Sequence, residues 1–235
     1  CSGAGKTFTM QTMALRMRRK GIQVFIIAPL KGHEFYRAAR NVGGEFIQIS
    51  PASKNCINIM EIRKVDNSVN ELLDGPTLDA SALAGKIQRL HIFFSLLIPD
   101  MSHEEKQLLD EALIKTYARK GITHKNESLT DPQHPEQYKK MPILEDVYNV
   151  LLESEDTKRL AHILNRLVHG SASSFNQQTN VDLTNKYTVL DISALTGSSD
   201  LLTVGMFDAP DYVWDKANEN RTEEKAIFVD EDWQL

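Results

Sequence analysis

Six residues near the amino end, Ser2-Gly3-Ala4-Gly5-Lys6-Thr7, constrain the fold of this chain more than anything else in it. They match the last six positions of G-x-x-x-x-G-K-[ST], whose first glycine would stand immediately before Cys1. Glycines there let successive backbone N–H groups turn inward around phosphate oxygens. The helix that opens at such a loop adds about half a positive charge at its start. In that chemistry Lys6 bridges the β- and γ-phosphates and the Thr7 hydroxyl ligates Mg²⁺. Taken alone, a glycine-rich turn entering a helix reads the same way, so the rest of the chain has to decide.

The flanking pattern is that of a parallel α/β domain. After the loop, Phe8, Met10, Met13, Ala14 and Met17 supply a helical stripe, and Gly21 is placed as a C-cap. Gln23 to Ala28 is an apolar, β-branched run that predicts a buried strand ended by Pro29. A helix from Glu34 to Asn41, a Gly43-Gly44 break and a strand from Glu45 to Ser50 follow.

From Thr77 to about Val168 the periodicity is helical. Leu83, Ile87, Leu90, Phe94 and Leu97 form one apolar stripe. Ser102-His103-Glu104-Glu105 is a capping-box signature, and Gly121 closes the helix that it opens. Asn126 to Pro142 carries prolines and no apolar period, which predicts a loop. Helices are expected over Ile143 to Glu153 and Thr157 to Val168. The sheet pattern then returns with a strand at Tyr187 to Ile192 and a helical stretch from Leu201 to Asn220. Pro210 is expected to kink or split that stretch near Asp208. The organisation expected is a core in two parts, residues 1–65 and 171–235, around an all-helical insert at 66–170.

Composition enters as a set of exclusions. The 41% apolar content is enough for a buried core. With 27 Lys and Arg against 32 Asp and Glu, the net charge of −5 argues against coating nucleic acid through bulk charge. Two cysteines, Cys1 and Cys56, do not make a disulfide framework. No apolar stretch approaches the roughly 18 residues of a membrane span. The chain opens without an initiator Met and reads as an excerpt from a longer protein.

The other end of the chain bears on the loop. Ala226 to Val229 is an apolar strand running into Asp230-Glu231. A buried strand delivers a carboxylate at its C-terminal edge, where α/β sheets place their ligands. Asp230 would hold the Mg²⁺ shell, and Glu231 would polarise an attacking water as general base. An apolar run before two acids is a weak signal alone. Paired in this order with the loop it predicts an ATP site, with Ser2, Gly3, Ala4, Gly5, Lys6, Thr7 and Phe8 as its phosphate-side set.

At this point the chain resembles a known family. SGAGKTFTM, VFIIAPLKGHEF, GGEFIQISPASKNCINIMEIR, GSASSFNQQTNVDLTNKYTVLDIS and the closing IFVDEDWQL are similar to the VirB4/TrbE/TraC ATPases of conjugative transfer and type IV secretion. The branch is that of mobile elements in Gram-positive bacteria. The specific parts are Asn58 to Ile62, Phe175 to Leu183 and Trp233.

The resemblance implies a RecA-like P-loop motor of the FtsK/HerA type. It implies a hexameric ring on the cytoplasmic face of the plasma membrane, working with other secretion components and with relaxase-bound DNA as cargo. A DNA-translocating coupling protein, a HerA-like translocase and a nucleotide-stabilised platform are the alternatives. Relatives often carry an acid where this chain has Ala28-Pro29. The family's polar sensor residue would fall beyond Leu235, so the chain unaided is not expected to hydrolyse ATP.

Other features read blandly. Arg16, Arg18, Arg19 and Lys20 form a basic cluster that could touch DNA or a neighbouring subunit, and the expected reading is a solvated helix end complementing the dipole. Arg159 and Arg166, seven apart on a helix, could include a trans-acting arginine finger, but they read as ordinary surface residues and are left out of the site. His124 and His134 lack cysteine partners, so no zinc is expected.

Overall fold

The computed structural model describes residues 3–29, 32–64 and 80–230. Cys1, Ser2, Glu231 and Trp233 lie outside them. The described residues fall into two compact units. One lies within Cys1–Asn55, Lys64–Asp66 and Asn180–Leu235, the other within Cys56–Arg63 and Asn67–Thr179.

In the first unit, α1 (Gly3–Arg19), β1 (Gln23–Ala28), α2 (Gly32–Asn41) and β2 (Glu45–Gln48) come from the amino-terminal part. β3 (Tyr187–Asp191) and β4 (Lys225–Val229) come from the carboxy-terminal part. The four strands form one sheet in the order β2-β3-β1-β4, every pair parallel. Parallel neighbours require crossovers, and the helices between strands provide them. Every residue of β1 and β3 is buried, as a central parallel strand demands, whereas β4 is half-buried along its length.

One sheet face carries Val24, Ile26, Ala28, Tyr187 and Val189. Against it pack Ala14 of α1 with Phe35 and Ala39 of α2. Gly21, at φ 84°, turns the chain from α1 into β1, a conformation that a side chain would strain.

The long helix of the carboxy-terminal part, which follows β3, runs unbroken from Ser199 to Asn218, through Pro210. The expected split near Asp208 does not occur. Proline removes one backbone hydrogen bond, and the burial of Val204, Gly205, Ala209 and Val213 around it outweighs that loss.

The second unit is built on α3 (Ala82–Leu97), α4 (His103–Ala118), α5 (Leu144–Leu151) and α6 (Lys158–Val168). The unbroken helix Ser199–Asn218 is α7 in chain order. Leu83, Ile87, Leu90 and Phe94 of the stripe are buried. The capping box forms as read: the Ser102 hydroxyl accepts from the Glu105 N–H, and the Ser102 N–H donates to Glu105. Residues 126–142 hold a 3-10 turn at Asn126–Leu129 and one isolated bridge, Thr130 to Tyr138.

Two segments that carried the family resemblance meet inside this unit. Asn58 is fully buried. Its backbone N–H donates to Thr179 Oγ1 at 2.9 Å, and its Nδ2 donates to the Pro142 carbonyl and to Gln178 Oε1. Its Oδ1 accepts from the Met60 N–H, and Thr179 Oγ1 donates to Glu61. A buried amide with its donors and acceptor satisfied specifies one arrangement of the chain around it.

Candidate nucleotide site

The start of α1 and the end of β4 share an edge of the sheet through connectivity. α1 passes through the Gly21 turn directly into β1, so it runs antiparallel to β1 and touches both β1 and β4. Seventeen helical residues span about 25 Å and six strand residues about 20 Å. Gly3 to Thr7, the first residues of α1, therefore lie at the carboxyl edge of β1 and β4. β4 delivers Asp230 to that edge, where its N–H donates to the Ile27 carbonyl at 3.0 Å and extends the ladder by one residue.

The residues there differ in exposure in the way their expected tasks require. Lys6 is exposed, whereas Thr7 and Asp230 are 3% exposed. A Cβ on Gly5 would meet nothing within 4 Å, so open space adjoins the backbone at that point. α1 has no acid in its first turn, so none of its own described side chains offsets its positive end. Phe8 is 71% exposed on the next turn.

Two hard oxygen donors, the Thr7 hydroxyl and the Asp230 carboxylate, suit a magnesium ion that completes its shell with phosphate oxygens and water. Among the described residues no three His, Cys, Asp or Glu side chains gather into a cage of their own. Ser2 and Glu231, the other named site residues, lie outside the described residues.

Sequence reasoning missed one carboxylate at this edge. Asp191 ends β3 and is 3% exposed. It pairs in register with Ala28 of β1 and Gln48 of β2. Since Ile27 pairs with Val229, Asp230 is the next residue opposite Ala28. Gln48, Asp191, Ala28 and Asp230 thus form one row across the sheet, on the face covered by α1 and α2. Two strand spacings put the backbones of the two acids about 10 Å apart. Asp191 Oδ1 accepts from the Ser193 N–H at 2.9 Å, and Oδ2 from Gln48 Nε2 at 3.4 Å. The signal was present in the sequence: an apolar run ending in an acid, YTVLD, of the same kind as AIFVD.

Arg159 is engaged structurally. Its guanidinium bonds both oxygens of Glu105 and reaches Asp100, tying α6 to the cap of α4.

No family model and no curated protein sequence matches the chain. Solved structures do. VirB4 of Thermoanaerobacter pseudethanolicus superposes with a TM-score of 0.81 at 26% identity, covering 97% of this chain and 81% of that one. The all-parallel sheet and this chain-long match together support a VirB4-type ATPase of type IV secretion.

Proposed function

We propose that this chain is the ATP-hydrolysing motor part of a conjugative type IV secretion system. ATP turnover would energise assembly of the channel or pilus and the transfer of DNA or protein, with subunits working as a ring on the cytoplasmic face of the plasma membrane. The observation that carries the reading is the arrival of residues 3–7 and Asp230, from opposite ends of the sequence, at one sheet edge.

In this reading the backbone N–H groups of Gly3 to Thr7 bind the phosphates, and Lys6 neutralises charge on the β- and γ-phosphates. Thr7 and Asp230 would hold magnesium, which when bound polarises the phosphoryl oxygens. Glu231 would take a proton from the attacking water. The buried setting of Thr7 and Asp230 strengthens their electrostatic effect by excluding bulk water.

Phosphate release by full-length Lys6→Ala and Glu231→Gln proteins tests the proposal. Both are expected to lose turnover by at least 10²-fold, with Glu231→Gln still binding ATP and Lys6→Ala not. Unchanged turnover in both would show that hydrolysis, if any, occurs elsewhere.

A further inference from the structure

The nucleotide site leaves a basic face of the molecule unused. Residues 1–44 hold eight Lys and Arg against one acid, Glu34, in a chain whose net charge is −5. The fold concentrates this excess on α1 and α2, which lie side by side over one face of the sheet. Arg16 and Arg19 on α1 and Arg37 and Arg40 on α2 are exposed, and Arg18 is half-buried.

Among the described residues none of these five arginines takes part in an ion pair. Several basic groups of the helical unit are matched: Lys115 and Arg119 with Glu153, Lys120 with Asp146, Arg159 with Glu105. Lys20 shares an open cavity with Lys186, Glu223 and Glu224 and does not belong to the unopposed set.

A helix dipole accounts for cations in a last turn, and Arg16, Arg18, Arg19 and Arg40 lie in last turns. It does not account for Arg37. That residue falls on one exposed stripe of α2 with His33, Tyr36 and Arg40, at spacings of three, four and seven. Tyr36 is 44% exposed. Its hydroxyl accepts from Arg40 Nη1 at 3.2 Å, and its ring meets Phe46 edge-on at 5.2 Å. An aromatic held from two sides next to guanidinium groups is a surface on which a base can stack.

We propose that the α1/α2 face binds single-stranded nucleic acid, with the arginines on phosphates and Tyr36 under a base. Arginine's planar fork fits pairs of phosphate oxygens, and the cations of the two last turns and of the α2 stripe are all arginines. An anionic lipid surface would be drawn to the same charge but needs an insertable apolar ridge beside it. The exposed apolar residues of α1, Phe8 and Met13, precede its arginine-rich last turn, nearer the phosphate loop. Binding at this face is independent of ATP hydrolysis.

The test is fluorescence anisotropy of a labelled 30-nucleotide DNA strand of mixed sequence with purified protein, without ATP, from 50 to 200 mM salt. Binding is expected, with log K falling by about 0.7 per phosphate contact for each unit of log salt. The triple variant Arg16→Gln/Arg19→Gln/Arg37→Gln should weaken binding at least tenfold at 50 mM salt and reduce the slope by about 2. The single Arg37→Gln variant, at an exposed site, should reduce it by about 0.7 and serves if the triple variant does not fold.

Tyr36→Ala should weaken the single strand several-fold and leave a duplex of the same sequence unaffected. The paired cations supply the control: Lys115→Gln/Arg119→Gln should bind as the parent does. Lys6→Ala should also bind DNA normally, which separates this proposal from the ATPase reading. Absence of binding at 50 mM salt, or an unchanged slope in the arginine variants, overturns the proposal. So does arginine-dependent flotation with phosphatidylserine vesicles in a protein that ignores the oligonucleotide.

Discussion

Gly32 and Asp191 meet so closely that a Cβ built on Gly32 would stand 2.0 Å from Oδ1 of Asp191. The first residue of α2 thus sits against the carboxylate that ends β3, and only glycine fits between them. Asp191 is short, buried and held by Ser193 and Gln48, so it has little room to retreat. Gly32→Ala is expected to cost about 1–3 kcal/mol, a fall of several degrees in the melting temperature for a chain of this size. An unchanged melting curve would mean that α2 shifts freely at its start.

Asp230 is the described carboxylate of the proposed metal site, and it can be tested without turnover. A non-hydrolysable ATP analogue at a hundred times its dissociation constant should stabilise the parent by about 2.7 kcal/mol. With magnesium chelated, parent and Asp230→Asn should gain the same smaller stabilisation. Adding magnesium should raise the melting temperature of the parent alone. A magnesium-dependent rise of equal size in Asp230→Asn would remove the residue from the metal shell.

Asn58 gathers Pro142, Gln178, Thr179 and Met60 around one buried side chain and its own backbone. Asn58→Ala leaves the Met60 N–H and the Gln178 oxygen short of a partner in the interior. A loss of about 2–4 kcal/mol is expected, measured as a lower urea midpoint. A loss below 0.5 kcal/mol would show the junction to be incidental.

The hydrogen bond from Arg159 holds the Glu105 carboxyl below its ordinary value of 4.5, against an opposing effect of burial. The sign follows: a carboxylate whose folded pKa is depressed adds stability above pH 4.5, and that stability is lost as the pH falls below it. Arg159→Ala should therefore flatten the acid limb of the stability curve between pH 5 and pH 3. Parallel acid limbs in parent and variant would contradict the link.

Tyr187 is fully buried, and its hydroxyl has no hydrogen-bond partner among the described residues. Burial pushes its pKa up to about 12. Between pH 10 and 12 the unfolded chain therefore releases this proton more readily, and stability drains away as the pH rises. Tyr187→Phe should be neutral to about 1 kcal/mol more stable at pH 7 and should unfold less steeply in alkali. A destabilised Phe variant would reveal a partner for the hydroxyl.

What could be read without a fold was whatever acts over a few residues. The helical stripe after Thr7, the run from Gln23 to Ala28 and the capping box at Ser102 and Glu105 each carry their signal within a few turns or a strand. The order of the sheet, the row that brings Asp191 beside Ala28 and Asp230, and the gathering of arginines on α1 and α2 were decided by tertiary structure. So was the closure of residues 58–61 on residues 178 and 179. These contacts join positions that are often more than a hundred residues apart. A buried amide or an arginine looks the same in the sequence whether or not its partner exists, because nothing periodic marks the far side of a contact. The continuity of α7 through Pro210 is of the same kind: a split weighs one lost hydrogen bond, while the burial that carries the helix past it depends on packing in three dimensions.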